Sequence, residues 1–239
     1  MPFTRLVGVD GCRAGWVLAR SDLTLHVLDF VLYGSFAELL AAHSDPDTLL
    51  VVDIPIGLPQ SGPRACDIQA RKLLGPGRAS SVFPAPSRAA FAAETYEEAS
   101  SANFTATGRR LSRQSHGILP KVREVDALMT PELQARVREA HPEVTFHLLA
   151  SRRGGESLGR KKTPAGEAQR LDLLLHEVPR FDPTAVRAQL GLRHVGRDDI
   201  IDAVACLVTA RRLAAGEALV LPRGTMEPDE RGLRVEFAA

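Results

Sequence analysis

Cysteine is scarce in this chain. Cys12, Cys66 and Cys206 are far apart and form no C-x-x-C pair. That argues against a disulfide framework or a zinc knuckle and fits a reducing compartment, so the expected location is cytoplasmic. Neither sign of charge dominates: 30 Lys and Arg stand against 29 Asp and Glu, for a formal charge of +1. With no global basic field, an anionic ligand has to be held by a local patch. No apolar run is long enough to span a membrane, and the first residues carry no signal-peptide pattern, so no membrane partner is expected. What is present, 44% hydrophobic and 25% charged residues over 239 positions, suits a globular chain able to bury a sizeable core.

The chain is organised around Leu6-Val7-Gly8-Val9-Asp10-Gly11-Cys12-Arg13-Ala14-Gly15-Trp16-Val17-Leu18-Ala19. An apolar run ends in a carboxylate, a glycine-rich turn follows, and a second apolar run leads back, as in a buried hairpin. Gly8 leaves room for another backbone or a ligand to come close. Asp10 either caps its own turn through the following amides or ligates a metal, since a buried carboxylate needs a partner. The device recurs in Leu49-Leu50-Val51-Val52-Asp53-Ile54, a strand apolar on both faces, where prolines end the ladder just past the acid.

Between these runs, Leu23 to Leu28 alternates as a third strand would, and Ser35 to Glu38 reads as a capping box that starts a helix. Helices are expected from Arg64 to Leu74, from Tyr96, and from Leu111 to Met129 with a break near Gly117 and Pro120. The residues from about 62 to 130 read as a helical insertion in a single domain spanning 1–239. Gln134 to Phe146 reads as a strand ending at a proline. Thr163-Pro164 and Pro183 open further helices. The basic segment Arg152, Arg153, Arg160, Lys161 and Lys162, with Gly154, Gly155 and Gly159, is either a solvated loop or a phosphate-holding one. A last strong helix opens at Arg197 and carries Asp198, Asp199 and Asp202, neighbours at helical spacing.

Carboxylates thus mark the first strand (Asp10), the central strand (Asp53) and the final helix (Asp199 and Asp202), while Glu139 and Glu143 sit on a further element. Several acids at one point need a counter-charge, and oxygen-only ligands suit Mg²⁺ or Mn²⁺. Such a site serves phosphodiester chemistry if the fold brings the acids together.

The segments VGVDGCRAGW, VVDIPIGLP, RACDIQAR, SSVFPAP, TGRRLSRQ, EAHPEVTF and RDDIIDAVACLVTARR resemble the family called domain of unknown function 429. Its members are described as predicted ribonuclease H-like nucleases. The resemblance implies an α/β ribonuclease H-like fold, a mixed central sheet flanked by helices, and hydrolysis of phosphodiester bonds in nucleic acid or another phosphate-containing ligand. It implies that Asp10 bridges metal ions, that Asp53 binds one, and that Asp199 or Asp202 completes the site. Glu143 becomes a ligand or general base, and His141 matches a motif without a known role. Arg64, Arg71 and Arg109 become candidates for holding phosphate, alongside Lys161 and Lys162 from the basic segment. A non-catalytic domain that binds an anionic ligand is the alternative. An actin-like kinase, which also opens with a strand, an acid and a glycine turn, fits less well because the chain offers little of that fold's second phosphate loop.

Overall fold

The protein is described by a computed structural model over residues 3–155, 158–224 and 227–239. Its contacts divide it into two units. The first takes the described residues of Met1–Asp53, Arg136–Leu219 and Ala238–Ala239. The second takes those of Ile54–Ala135 and Val220–Phe237. The insertion expected over 62–130 lies within the longer segment of the second unit.

The chain begins with β1 (Arg5–Cys12) and β2 (Gly15–Asp22), an antiparallel hairpin in which Asp10 pairs with Val17. The third strand starts later than the alternation suggested: β3 covers Asp29–Tyr33, antiparallel to β2. Residues Leu23 to Leu28 are instead a turn. The Asp22 carboxylate accepts from the Thr24 amide at 2.8 Å and its hydroxyl at 2.5 Å, and Leu25 takes a left-handed φ of 56°. This local competition for backbone hydrogen bonds outweighs the alternating pattern.

Ser35 caps α1 (Phe36–Ala42) by accepting from the Glu38 amide. β4 (Thr48–Val52) then lies parallel to β1, with Val9 opposite Val52. The second unit supplies α2 (Ala65–Leu74), α3 (Tyr96–Thr107), α4 (Arg113–Gly117) and α5 (Leu119–Leu128), the last two separated where the glycine and proline signals fell. Inside it, Arg88 pairs with both Asp126 (2.8 Å) and Asp229 (2.5 Å).

Returning to the first unit, β5 is short (Val137–Glu139) and parallel to β4. The strand ends before the proline expected to close it, and Pro142 also opens α6 (Pro142–Arg152), so Val144 and Phe146 at the end of the stretch are helical. Proline has no N–H to lose at a first helical position, and there it starts a helix. α7 (Pro164–Glu177), α8 (Pro183–Leu190) and α9 (Arg197–Ala214) follow. The sheet order is β3-β2-β1-β4-β5, a five-stranded mixed sheet.

The period of two in a strand decides which face each acid takes. Leu6 in β1 and Leu49 and Val51 in β4 share one core with Val204, Leu207 and Val208 of α9. Asp10 has the parity of Leu6 and Gly8, and Asp53 that of Leu49 and Val51, so both carboxylates fall on the α9 face. Gly8 sets the distance: a Cβ built there would lie 2.2 Å from Ala203 O and from Leu207 N. Backbone meets backbone, and β1 and α9 are locked together. Across the sheet, the rings of Trp16 and Phe36 pack 5.0 Å apart. Among the described residues, no helix is long and apolar enough to cross a membrane.

Candidate metal centre

Parallel register brings the ends of β1 and β4 side by side, and the Asp53 amide donates to Val9 O at 3.0 Å. Asp10 and Asp53 are therefore neighbours by construction. α9, seated on Gly8, adds Asp202 one turn into the helix. One carboxylate oxygen from each of Asp10, Asp53 and Asp202 lies within 4.8 Å of the others. Asp202 is 3% exposed, whereas Asp10 and Asp53 are of intermediate burial.

The electrostatics follow from that crowding. Burial and the neighbouring charges of Asp53 and Asp202 raise Asp10 well above the usual carboxylate range. Asp53 is raised likewise, by burial first and then by Asp202, with Glu139 and Glu143 adding to it. Burial pushes Asp202 up to about 6, against the pull of Lys161. Lys161 reaches the group from the segment before α7, and its ammonium bonds Asp202 Oδ2. Burial alone would lower its pKa, but the carboxylates of Asp202, Asp10 and Asp53 outweigh burial and raise it. The other oxygen, Asp202 Oδ1, is buried with no hydrogen-bond partner among the described residues. A buried, orphaned carboxylate oxygen on a residue grouped with two further carboxylates is one that a cation can satisfy. The donor set, all oxygen, could hold a hard metal ion.

The structure sorts the remaining candidates. Asp10 does accept from the Gly11 amide at 2.7 Å, so it caps its turn as well as joining the cluster. Asp199 closes the start of α9 by accepting from the Gly196 amide at 2.9 Å; Asp202 is the helix acid that joins Asp10 and Asp53. Glu143 holds Arg170 through both oxygens, each at 2.7 Å, and bears on the cluster as a nearby negative charge.

The arginine candidates belong to the second unit. Arg64 is buried and bound to Asp67 at 2.8 Å, and Arg71 donates to Val82 O at 2.6 Å. Arg109 is exposed. Arg152, Arg153, Arg160 and Lys162 are exposed as well, while Lys161 is drawn into the acids.

Two participants escaped the sequence reading. Arg170, 1% exposed, neutralises Glu143; its signal was an arginine four residues before Leu174, on the apolar face of α7. Cys206 lies on α9 one turn after Asp202, and burial together with the three aspartates raises its thiol, which keeps it protonated and inert.

Fold and cluster together define an α/β protein whose sheet end and last helix gather three carboxylates. Residues 8–227 match the family described as Protein of unknown function (DUF429), and the chain belongs to it. No curated protein and no solved structure matches the chain.

Proposed function

We propose that this protein is a metal-dependent nuclease of ribonuclease H-like fold, hydrolysing phosphodiester bonds at the cluster of Asp10, Asp53 and Asp202. The observation that carries the reading is that three carboxylates from β1, the end of β4 and α9 converge, with Asp202 Oδ1 left unsatisfied. The sheet order supports the fold assignment: a hairpin, a third antiparallel strand, two parallel strands and a final helix against the first strand. Asp10, Asp53 and Asp202 would hold Mg²⁺ or Mn²⁺. The ion supplies a Lewis acid for a phosphoryl oxygen and lowers the pKa of a bound water. The protein's part is to fix the acids before any ligand arrives. Gly8 and the β1–β4 register set their spacing, and the Arg170–Glu143 pair confines a fourth negative charge beside them.

A second reading has its own support. Lys161 already bonds Asp202, so the cluster is partly neutralised by the chain itself, as it would be in a domain that binds an anionic ligand without cleaving it. Cleavage assays on single-stranded DNA, duplex DNA, branched DNA and RNA with about 5 mM Mn²⁺, above the millimolar end of carboxylate-site affinities, separate the two. The nuclease reading expects metal-dependent cleavage of at least one substrate, abolished in Asp10→Asn, Asp53→Asn and Asp202→Asn. Absence of cleavage on all four, or cleavage that survives in all three variants, refutes it.

A further inference from the structure

Lys161 belongs to two places at once. Its ammonium bonds Asp202 Oδ2, and its side chain also lines a cavity of about 560 Å³ between the starts of α7 and α9. Lys162, Thr163, Glu167, Arg197 and Asp198 line the same cavity. Thr163 is the N-cap of the 14-residue α7, and Arg197 opens the 18-residue α9, so two helix N-termini border it. The ends of both helix dipoles favour an anion there. Lys162 is exposed and makes no ion pair among the described residues, whereas Arg197 is already engaged by Glu167 at 2.7 Å. The cavity walls therefore carry a charge that depends on where Lys161 points. With Lys161 given to Asp202, Lys162 is the cavity's one cation outside an ion pair among the described residues, and the exposed carboxylate of Asp198 offsets its charge. With Lys161 released, there are two.

The buried, unpartnered Asp202 Oδ1 shows that the ammonium satisfies the acids only in part. We propose that Lys161 is an exchangeable counter-ion: it holds Asp202 in the metal-free protein and turns its ammonium to a phosphate group in the adjoining cavity when a divalent cation takes that carboxylate. This rests on the metal-site reading above and adds to it the way in which metal and phosphate are coupled. Lysine suits the role, being a compact charge on a flexible stem whose head can move several ångströms while the stem stays packed. Exchange makes the two ligands cooperative. Lys161 competes with the metal and assists the phosphate, so each ligand raises the affinity for the other by the same factor.

The test measures Mn²⁺ binding and inorganic phosphate binding by calorimetry, in the intact chain and in Lys161→Met. Lys161→Arg and the far-ultraviolet spectrum control for folding. In Lys161→Met, Mn²⁺ should bind about tenfold tighter or more, because its internal competitor is gone. The Mn²⁺-induced rise in melting temperature should grow with it. Phosphate should bind the intact protein about tenfold tighter with Mg²⁺ than without, and most of that gain should vanish in Lys161→Met. Lys161→Arg, which keeps the charge, should retain the gain in part. Equal or weaker Mn²⁺ binding in a folded Lys161→Met, or a phosphate gain that survives intact, overturns the exchange while leaving the metal site standing. Failure of both proteins to bind Mn²⁺ at millimolar concentration overturns the metal-site reading and the exchange with it. If Lys161→Met does not fold, Lys161→Gln and Lys161→Arg are compared in its place, and a Mn²⁺ affinity that is the same in both overturns the exchange.

Discussion

Replacing Asp10 by Asn isolates the charge at the centre of the argument. The substitution keeps the side-chain shape and the oxygen that accepts from the Gly11 amide, so the turn cap survives. What leaves is one negative charge from a group whose ligand oxygens lie within 4.8 Å. At an effective dielectric of about 20, two full charges at that spacing repel by about 3.5 kcal/mol. Asp10 faces two such neighbours, but its attraction to Lys161 is lost as well. A net stabilisation of about 1–3 kcal/mol at pH 8 remains, a rise of about 3–10 °C in melting temperature for a chain of this size. Metal reverses the order. At a hundredfold excess over its Kd, Mn²⁺ stabilises a protein that binds it by about 2.7 kcal/mol, and the Asn variant forfeits most of that. Thermal melts of both proteins at pH 8, with EDTA and with Mn²⁺ at about a hundred times its Kd for the Asp protein, give four temperatures. Asn above Asp in EDTA and below it in Mn²⁺ is the expected crossing. If Asn fails to stabilise the metal-free protein and Mn²⁺ leaves the Asp protein unmoved, Asp10 is a turn cap and nothing more.

Three further outcomes follow from the same structure. Gly8→Ala puts a Cβ 2.2 Å from α9 backbone atoms, so urea unfolding should show a loss of about 3 kcal/mol or more, or no folded protein at all; near-normal stability would mean that α9 is not seated on β1. Arg170→Met leaves Glu143 buried without its partner and should cost about 3–5 kcal/mol, while the double variant with Glu143→Gln recovers part of the loss; a cost below about 1 kcal/mol would refute the pairing. The third is a pH profile. Asp202, with its pKa pushed up to about 6, binds its proton more tightly folded than unfolded. Its contribution is whole below about pH 4 and is lost as pH rises to about 6, a fall of roughly 3 kcal/mol, and Asp10 and Asp53, raised well above the usual range, extend the decline upward. Saturating Mn²⁺ should flatten this slope in denaturant titrations, and an equally steep slope with Mn²⁺ would count against the site.

Much of the scaffold could be read from the chain because local signals and tertiary packing agree there. The parallel pairing of β1 with β4, the Ser35 and Thr163 caps and the stripe on α9 each rest on a pattern that burial reinforces. Asp10 and Asp53 were legible as a pair because both end apolar runs, and strand parity then settles the face. The choice between Asp199 and Asp202 was legible only in part: charge at a helix start accounts for Asp199, whereas Asp202 lies a turn further in, near the apolar stripe. Both sit at helical spacing, and only the seating of α9 on Gly8 turns one of them to the cluster and leaves the other as a cap. Lys161 was visible only as part of a basic segment, since its reach to Asp202 crosses 41 residues of chain. Pro142 was legible as the end of the strand, but the helix that it opens was not, since a proline can signal either.

The sheet of the first unit also sets the order in which the chain can acquire structure. β4 and β5 are hydrogen-bonded neighbours, with Leu50 opposite Val137, yet the whole stretch from Ile54 to Ala135 lies between them. Closing about 80 flexible residues costs roughly 4 kcal/mol of chain entropy before a three-residue strand returns any hydrogen bonds. β5 is too short to repay that alone. The pairing becomes affordable once the intervening residues have structure of their own or α9 has docked on β1. During synthesis the hairpin, β3, α1 and β4 emerge long before α9, with the α9 face of Leu6, Leu49 and Val51 uncovered. A ribosome-bound fragment ending near residue 135 therefore carries Asp10 and Asp53 but no Asp202, and exposes apolar surface that a chaperone would recognise. The site is finished last, by the same helix that finishes the core.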